Sequence, residues 1–107
     1  MSSVGQVLKP KPGCYDEYKK RHDELWPELA DLMTAHGIDM AIYRFEDYLF
    51  VYGTAPSEED WETIGTHPVT PHWNEYMSEV LETDTNGELV RHILPQAFSF
   101  GAFSREA

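Results

Sequence analysis

The chain has 107 residues, 13% of them aromatic, and its 19 acidic against 8 basic side chains leave a formal net charge of −11. That length holds one ordinary domain, spanning 1–107, and the aromatic content argues against disorder. The acidic balance serves solubility, disfavours non-specific binding to nucleic acid or anionic membranes, and disfavours a highly anionic substrate unless the site is locally basic.

Val4 to Lys9 reads as a short strand, stopped by Pro10, Pro12 and Gly13. From Cys14 to His36 the pattern is helical: Tyr15, Tyr18, His22, Leu25, Leu29, Leu32 and Met33 recur three or four apart and define an inward face. Pro27 has no N–H and predicts a kink or a restart, and His36-Gly37 a C-terminal stop. Ile38 to Phe45 and Tyr48 to Tyr52 read as strands joined at Glu46-Asp47, a hairpin tip without the usual glycine. Ser57 then caps a helix with acidic residues in its first turn, continued by Trp61 and Ile64. Pro68 and Pro71 are expected to interrupt it before Trp73, Tyr76, Met77, Val80 and Leu81 resume a helical face. After a polar loop at Thr83 to Gly87, Leu89 to Phe100 reads as a last strand, with Pro95 calling for an edge position or a bulge.

The resulting order, βαββαβ, is that of the ferredoxin-like α+β fold, which leaves one face of an antiparallel sheet without helices. Large side chains on both faces of the strands make that open face apolar, and an apolar face of this size calls for a partner. A homodimer with sheets face to face, closing a barrel, supplies one. Cys14 is the only cysteine, so an intramolecular disulfide and a thiolate zinc cluster are excluded. No apolar run approaches the ~20 residues that span a bilayer, and Met1 to Gln6 lacks the features of a secretory signal. A soluble cytoplasmic protein is the expectation.

Tyr18 and His22 lie four apart, so one helix face presents a phenol beside an imidazole. An unperturbed imidazole, with a pKa of ~6.5, is suited to proton transfer near neutrality. On spacing alone the pair equally reads as a packed histidine beside a core tyrosine. Trp26-Pro27-Glu28 reads as a helix kink with Trp26 in the core, or as a substrate wall with a carboxylate nearby. In His72-Trp73-Asn74, an indole face suits the C–H face of a sugar and the neighbouring amide suits its hydroxyls, although an ordinary amphipathic tryptophan fits as well. The other histidines, His36, His67 and His92, fall in no metal-binding spacing, so no metal is expected. Nucleotide-binding glycine motifs and the serine-hydrolase elbow are absent from the sequence.

The string Y-x-x-x-H-x-x-x-W-P-E-L from Tyr18 to Leu29, followed by His36-Gly37, Ala41-Ile42-Tyr43 and Trp73 with Tyr76-Met77, resembles the L-rhamnose mutarotase family. The likeness runs from the first strand to Leu94–Phe98. It implies a ferredoxin-like fold that dimerises into a barrel, a site without cofactor in each subunit, and interconversion of the α and β anomers of a deoxy-sugar pyranose. It further implies that His22 is the proton donor, that Tyr18 contacts the substrate, and that Trp73 is the first of a substrate-binding Trp-Trp pair. Asn74 replaces the second tryptophan of that pair, and Met40 stands where the family places a tyrosine. Both departures fall on the sugar-facing wall, so the expected substrate is L-rhamnose or a related 6-deoxy hexose.

Mutarotation suits these residues. A hemiacetal opens when an acid protonates the ring oxygen while a base takes the anomeric hydroxyl proton, and it recloses with the roles reversed. One imidazole, helped by Tyr18, Glu28 or a water, carries such a step. Two other readings stand beside this one: a cofactorless dimeric-barrel monooxygenase or isomerase, and a non-catalytic sugar-binding module.

Overall fold

The structure, a computed structural model, describes residues 1–103. Strand β1 (Ser2–Leu8) is followed by helices α1 (Tyr15–Asp23) and α2 (Pro27–Ala35), strands β2 (Asp39–Phe45) and β3 (Tyr48–Ala55), helices α3 (Glu58–Thr66) and α4 (Val69–Met77), and strand β4 (His92–Ile93). The antiparallel sheet has the order β2-β3-β1-β4, the ferredoxin-like arrangement, with each crossover helix divided in two. No helix among the described residues is long and apolar enough to cross a membrane.

The divisions follow from proline chemistry. Trp26 takes the extended backbone that a following proline demands (φ −59°, ψ 129°), which ends α1 and lets Pro27 open α2, where its missing N–H costs nothing. In the second crossover the break falls at His67-Pro68 and not at Pro71. Pro71 sits in the first turn of α4, where the amides have no intrahelical acceptor, so it interrupts nothing. Ser57 caps α3 as expected, its Oγ accepting from the Asp60 amide at 3.3 Å.

Strand alternation sets the two faces of the sheet. Leu8, Leu49 and Val51 point to the helices and join Tyr18, Leu29, Val69, Trp73, Met77, Val80 and Leu81 in the core. On the same side Gly53 leaves room for Trp61 of α3; a Cβ there would lie 2.9 Å from a ring carbon of that indole. The opposite face carries Tyr43 and Phe45 from β2 with Tyr48 and Tyr52 from β3, all exposed. The expected open apolar face is therefore present. At the β2–β3 turn, Glu46 adopts the left-handed backbone (φ 54°) that glycine more often supplies.

The last strand differs from expectation. Only His92–Ile93 pair with β1, opposite Val7 and Gln6, although Leu89 to Phe100 reads as continuous strand. The Leu94 amide still donates to the Gly5 carbonyl, but Pro95 has no N–H with which to continue the ladder. The chain leaves the edge and crosses the open face. There Gln96 donates to Ser3 Oγ and to the Phe103 carbonyl, both at 3.1 Å. Between this segment and Gly5, Ala41, Tyr43 and Tyr52 lies a cavity of about 660 Å³.

Candidate active site

Tyr18 and His22 project from one face of α1, their ring centroids 4.5 Å apart and tilted by 40°. Tyr18 is buried in the core and His22 half-buried at its edge. Arg21, between them in sequence, fastens this helix to α4. Its Nη1 donates to the Tyr76 carbonyl at 2.7 Å and to Glu79 at 2.9 Å, its Nε donates to Glu17 at 2.8 Å, and its guanidinium lies 4.0 Å over the Tyr76 ring.

That docking places His22 against Trp73, edge to face, at 5.5 Å and 84°. Trp26 meets Trp73 in the same manner at 5.0 Å and stacks on Tyr76 at 5.3 Å. The connection between α1 and α2, set by Pro27, thus folds Trp26 into the aromatic wall. Asn74, next along α4, accepts from Arg91 Nη2 at 3.1 Å, and Arg91 Nη1 donates to Gln6 Oε1 at 3.4 Å.

The electrostatics give the two titratable rings definite states. Burial pushes the Tyr18 phenol far above its ordinary pKa of 10.0, the Tyr15 phenol adds to the rise, and the Arg91 charge opposes it. Tyr18 is a neutral donor throughout the physiological range. Burial also holds His22 below the ordinary value of 6.5, against the smaller pull of the Tyr18 carbonyl and the Asp23 carboxylate toward the cation. The Tyr18 carbonyl is poorly aligned with the ring, so His22 Nδ1, a buried atom, has no well-formed hydrogen bond among the described residues. An unpaired buried polar atom costs about 1–3 kcal/mol. Here it belongs to a neutral imidazole packed between the Tyr18 and Trp73 rings.

Tyr18, His22 and Trp73, singled out in the sequence, therefore meet in one place, with Asn74 at its rim. His72 beside them is exposed, as is Glu28 in the first turn of α2. Met40 is exposed in β2. His36 is taken up structurally, with Nδ1 2.8 Å from Asp60, and His67 Nδ1 accepts from the Val69 amide at 3.1 Å. Tyr76, Arg91 and Gln6 are neighbours that sequence reasoning did not assign to the site, while Trp26, read as core or as substrate wall, packs against Trp73. Gln6 alone carried a local signal, a polar residue between Val4 and Leu8 on the inward side of a strand. Among the described residues no group of three or more His, Cys, Asp or Glu side chains converges to hold a metal ion.

The ferredoxin-like sheet and the cluster of tyrosine, histidine and tryptophan define a small α+β protein whose side chains can exchange a proton beside a flat aromatic wall. The family model for L-rhamnose mutarotase matches residues 3–99. The chain is similar to L-rhamnose mutarotases of Shouchella clausii (34% identity over 91% of this chain and 93% of the relative) and Listeria monocytogenes (33%, over 92% and 97%). A similar protein of a Jannaschia species is 36% identical over 82% of this chain and 88% of its own. The fold also matches the crystal structure of an L-rhamnose mutarotase from Formosa agariphila, with a TM-score of 0.78 at 22% identity over 94% of this chain and all of the other. A de novo designed protein with a ferredoxin fold superposes with a TM-score of 0.55 at 14% identity, over 99% of this chain and 96% of the design. The chain belongs to the L-rhamnose mutarotase family, enzymes of the isomerase class that act on sugar anomers.

Proposed function

We propose that this enzyme interconverts the α and β anomers of L-rhamnose or a related 6-deoxy hexose, with His22 as the proton-transfer residue and Tyr18, Trp73 and Asn74 contacting the sugar. The observation that carries this reading is the meeting of a neutral His22 with the protonated Tyr18 phenol and the Trp73 indole, their ring centroids 4.5 and 5.5 Å from the imidazole. A neutral imidazole begins as a base. It takes the proton of the anomeric hydroxyl; the O–H electrons become the C1=O π bond, the bond from C1 to the ring oxygen breaks, and that oxygen takes a proton from Tyr18 or from a water held by it. Rotation about the C1–C2 bond then presents the other carbonyl face. The former ring oxygen, now a hydroxyl, attacks it and returns its proton to Tyr18 or to the water, while the imidazolium returns its proton to the new anomeric hydroxyl. The Trp73 indole supplies a flat wall for the pyranose C–H face.

The working form is a cytoplasmic homodimer. The exposed Tyr43, Phe45, Tyr48 and Tyr52, together with Phe98 and Phe100 of the crossing segment, support it, because burying such a face against a second copy removes a large apolar area from water. Sedimentation should give a dimer that Tyr43→Glu/Phe45→Glu converts to monomer. A wild-type monomer at micromolar concentration would refute the assembly.

Saturation-transfer NMR on equilibrated L-rhamnose tests the reaction. Wild type should exchange the anomeric signals at a rate proportional to enzyme concentration, and His22→Ala should lose about 10²–10⁴-fold of that rate. Equal, buffer-level exchange from both proteins would end the mutarotase reading.

A further inference from the structure

Arg91 carries a charge that no carboxylate answers among the described residues. Its two hydrogen bonds go to neutral amides, Asn74 Oδ1 and Gln6 Oε1. Arg21 shows the alternative within the same molecule: it is paired with Glu17 and Glu79. Arg44 also lacks a carboxylate partner among the described residues, but it lies 4.0 Å over the Tyr15 ring and donates to the Glu46 carbonyl, whereas Arg91 is held by two side-chain amides. Amide oxygens orient the planar fork without cancelling its charge. They also engage two of its five N–H groups and leave three for another acceptor.

The placement of this fork matters as much as its charge. Asn74 directly follows Trp73, the residue against His22, and Gln6 lies on the helix-facing side of β1 between Val4 and Leu8. Arg91 enters from the segment that leads into β4. Helix α4, β1 and the approach to β4 therefore converge on one cation beside the aromatic cluster, and its field reaches the Tyr18 phenol. This is the local basicity that an acidic protein needs before it can receive an anionic ligand.

We propose that Arg91, oriented by Asn74 and Gln6, is a specificity residue of the sugar site and confers a further activity, anomer interconversion of carboxylate-bearing pyranoses (hexuronates) beside 6-deoxy hexoses. The inference rests on the mutarotase reading above. The guanidinium takes the sugar carboxylate in a bidentate, charge-assisted pair. His22 and Tyr18 then act on the hemiacetal as before. The same bonds break and form, and no further reactant is consumed.

Exchange NMR on L-rhamnose and on D-galacturonate, with wild type, Arg91→Met and Arg91→Lys, decides the matter. Wild type should accelerate both sugars. Arg91→Met should raise KM for galacturonate about tenfold more than it raises KM for rhamnose. Arg91→Lys, which keeps the charge without the fork, should recover part of the loss. Rhamnose exchange with galacturonate at its buffer rate in wild type would overturn this inference and leave the mutarotase reading standing. Equal losses on both sugars in both variants would overturn it in favour of a structural role. No acceleration of either sugar by wild type would overturn both readings.

Discussion

His22 meets the indole of Trp73 edge to face, with ring centroids 5.5 Å apart and planes at 84°, although the two residues come from opposite halves of the chain. Tyr18 closes the other side at 4.5 Å. Confinement between two aromatic rings does two things at once. It limits the rotation of the imidazole, and it strips away the water that would stabilise its cation.

The pH dependence follows from that desolvation. The His22 pKa is lowered in the folded protein, so the base form persists below the ordinary value of 6.5. The exchange rate should be flat from neutrality down through pH 6.5 and fall only as pH drops through the lower, folded-state value. Stability should move in the same sense. Between the two values the unfolded chain binds more protons than the folded one, so stability is full above 6.5 and is lost as pH falls through the folded pKa. Thermal melts of wild type and His22→Gln across this window check the sign: the variant should lose less stability on acidification.

Tyr18→Phe keeps the ring and removes the hydroxyl. Burial holds that phenol protonated, and its oxygen makes no hydrogen bond among the described residues that the fold would miss. The expected result is a fall in kcat of about 10²-fold, the low end of general-acid effects, with an unchanged circular dichroism spectrum. A full-rate Tyr18→Phe enzyme would pass the second proton to water alone.

Arg21 is a positioning residue and acts through His22. Its side chain is 14% exposed and joins α1 to the Tyr76 carbonyl, the Tyr76 ring and Glu79 of the second crossover. Arg21→Met should destabilise the protein by about 1–3 kcal/mol, the range for losing hydrogen bonds from a charged group. It should also lower kcat more than it raises KM, because α1 is no longer held against Trp73. Arg21→Lys should rescue little, since an ammonium cannot keep both the stacking and the divergent hydrogen bonds. Denaturant melts together with exchange kinetics separate the two effects.

Gly53→Ala should destabilise the protein by about 1–3 kcal/mol through overpacking. The added methyl would lie 2.9 Å from a ring carbon of Trp61, a rigid neighbour that cannot swing aside as a flexible chain would. In a double-mutant cycle, Trp61→Leu should absorb most of that penalty. Additive losses would mean that the two side chains do not meet.

How much of this was legible beforehand depends on the reach of each interaction. Helical spacing placed Tyr18 and His22 on one face, Pro27 announced the break before α2, Ser57 the cap of α3, and strand alternation the open apolar face. All of these are local, set by backbone geometry within a turn or two. The end of β4 was not legible, because pairing at an edge depends on β1 and on where Pro95 falls against it, so apolar residues that read as strand instead cross the sheet. Pro71 misled for a similar reason: a proline interrupts a helix only when its N–H is needed, and its register within α4 makes it harmless.

The sequence by itself determined the order of elements, the phenol–imidazole pair and the likeness to a family. The tertiary structure alone decided that Trp73, backed by Trp26 and Tyr76, meets His22, that burial rather than a charged neighbour sets the protonation of His22, and that Arg91 reaches Asn74. The physical reason is common to all three. Desolvation and side-chain contact depend on which distant segments pack together, and no local pattern encodes that distance.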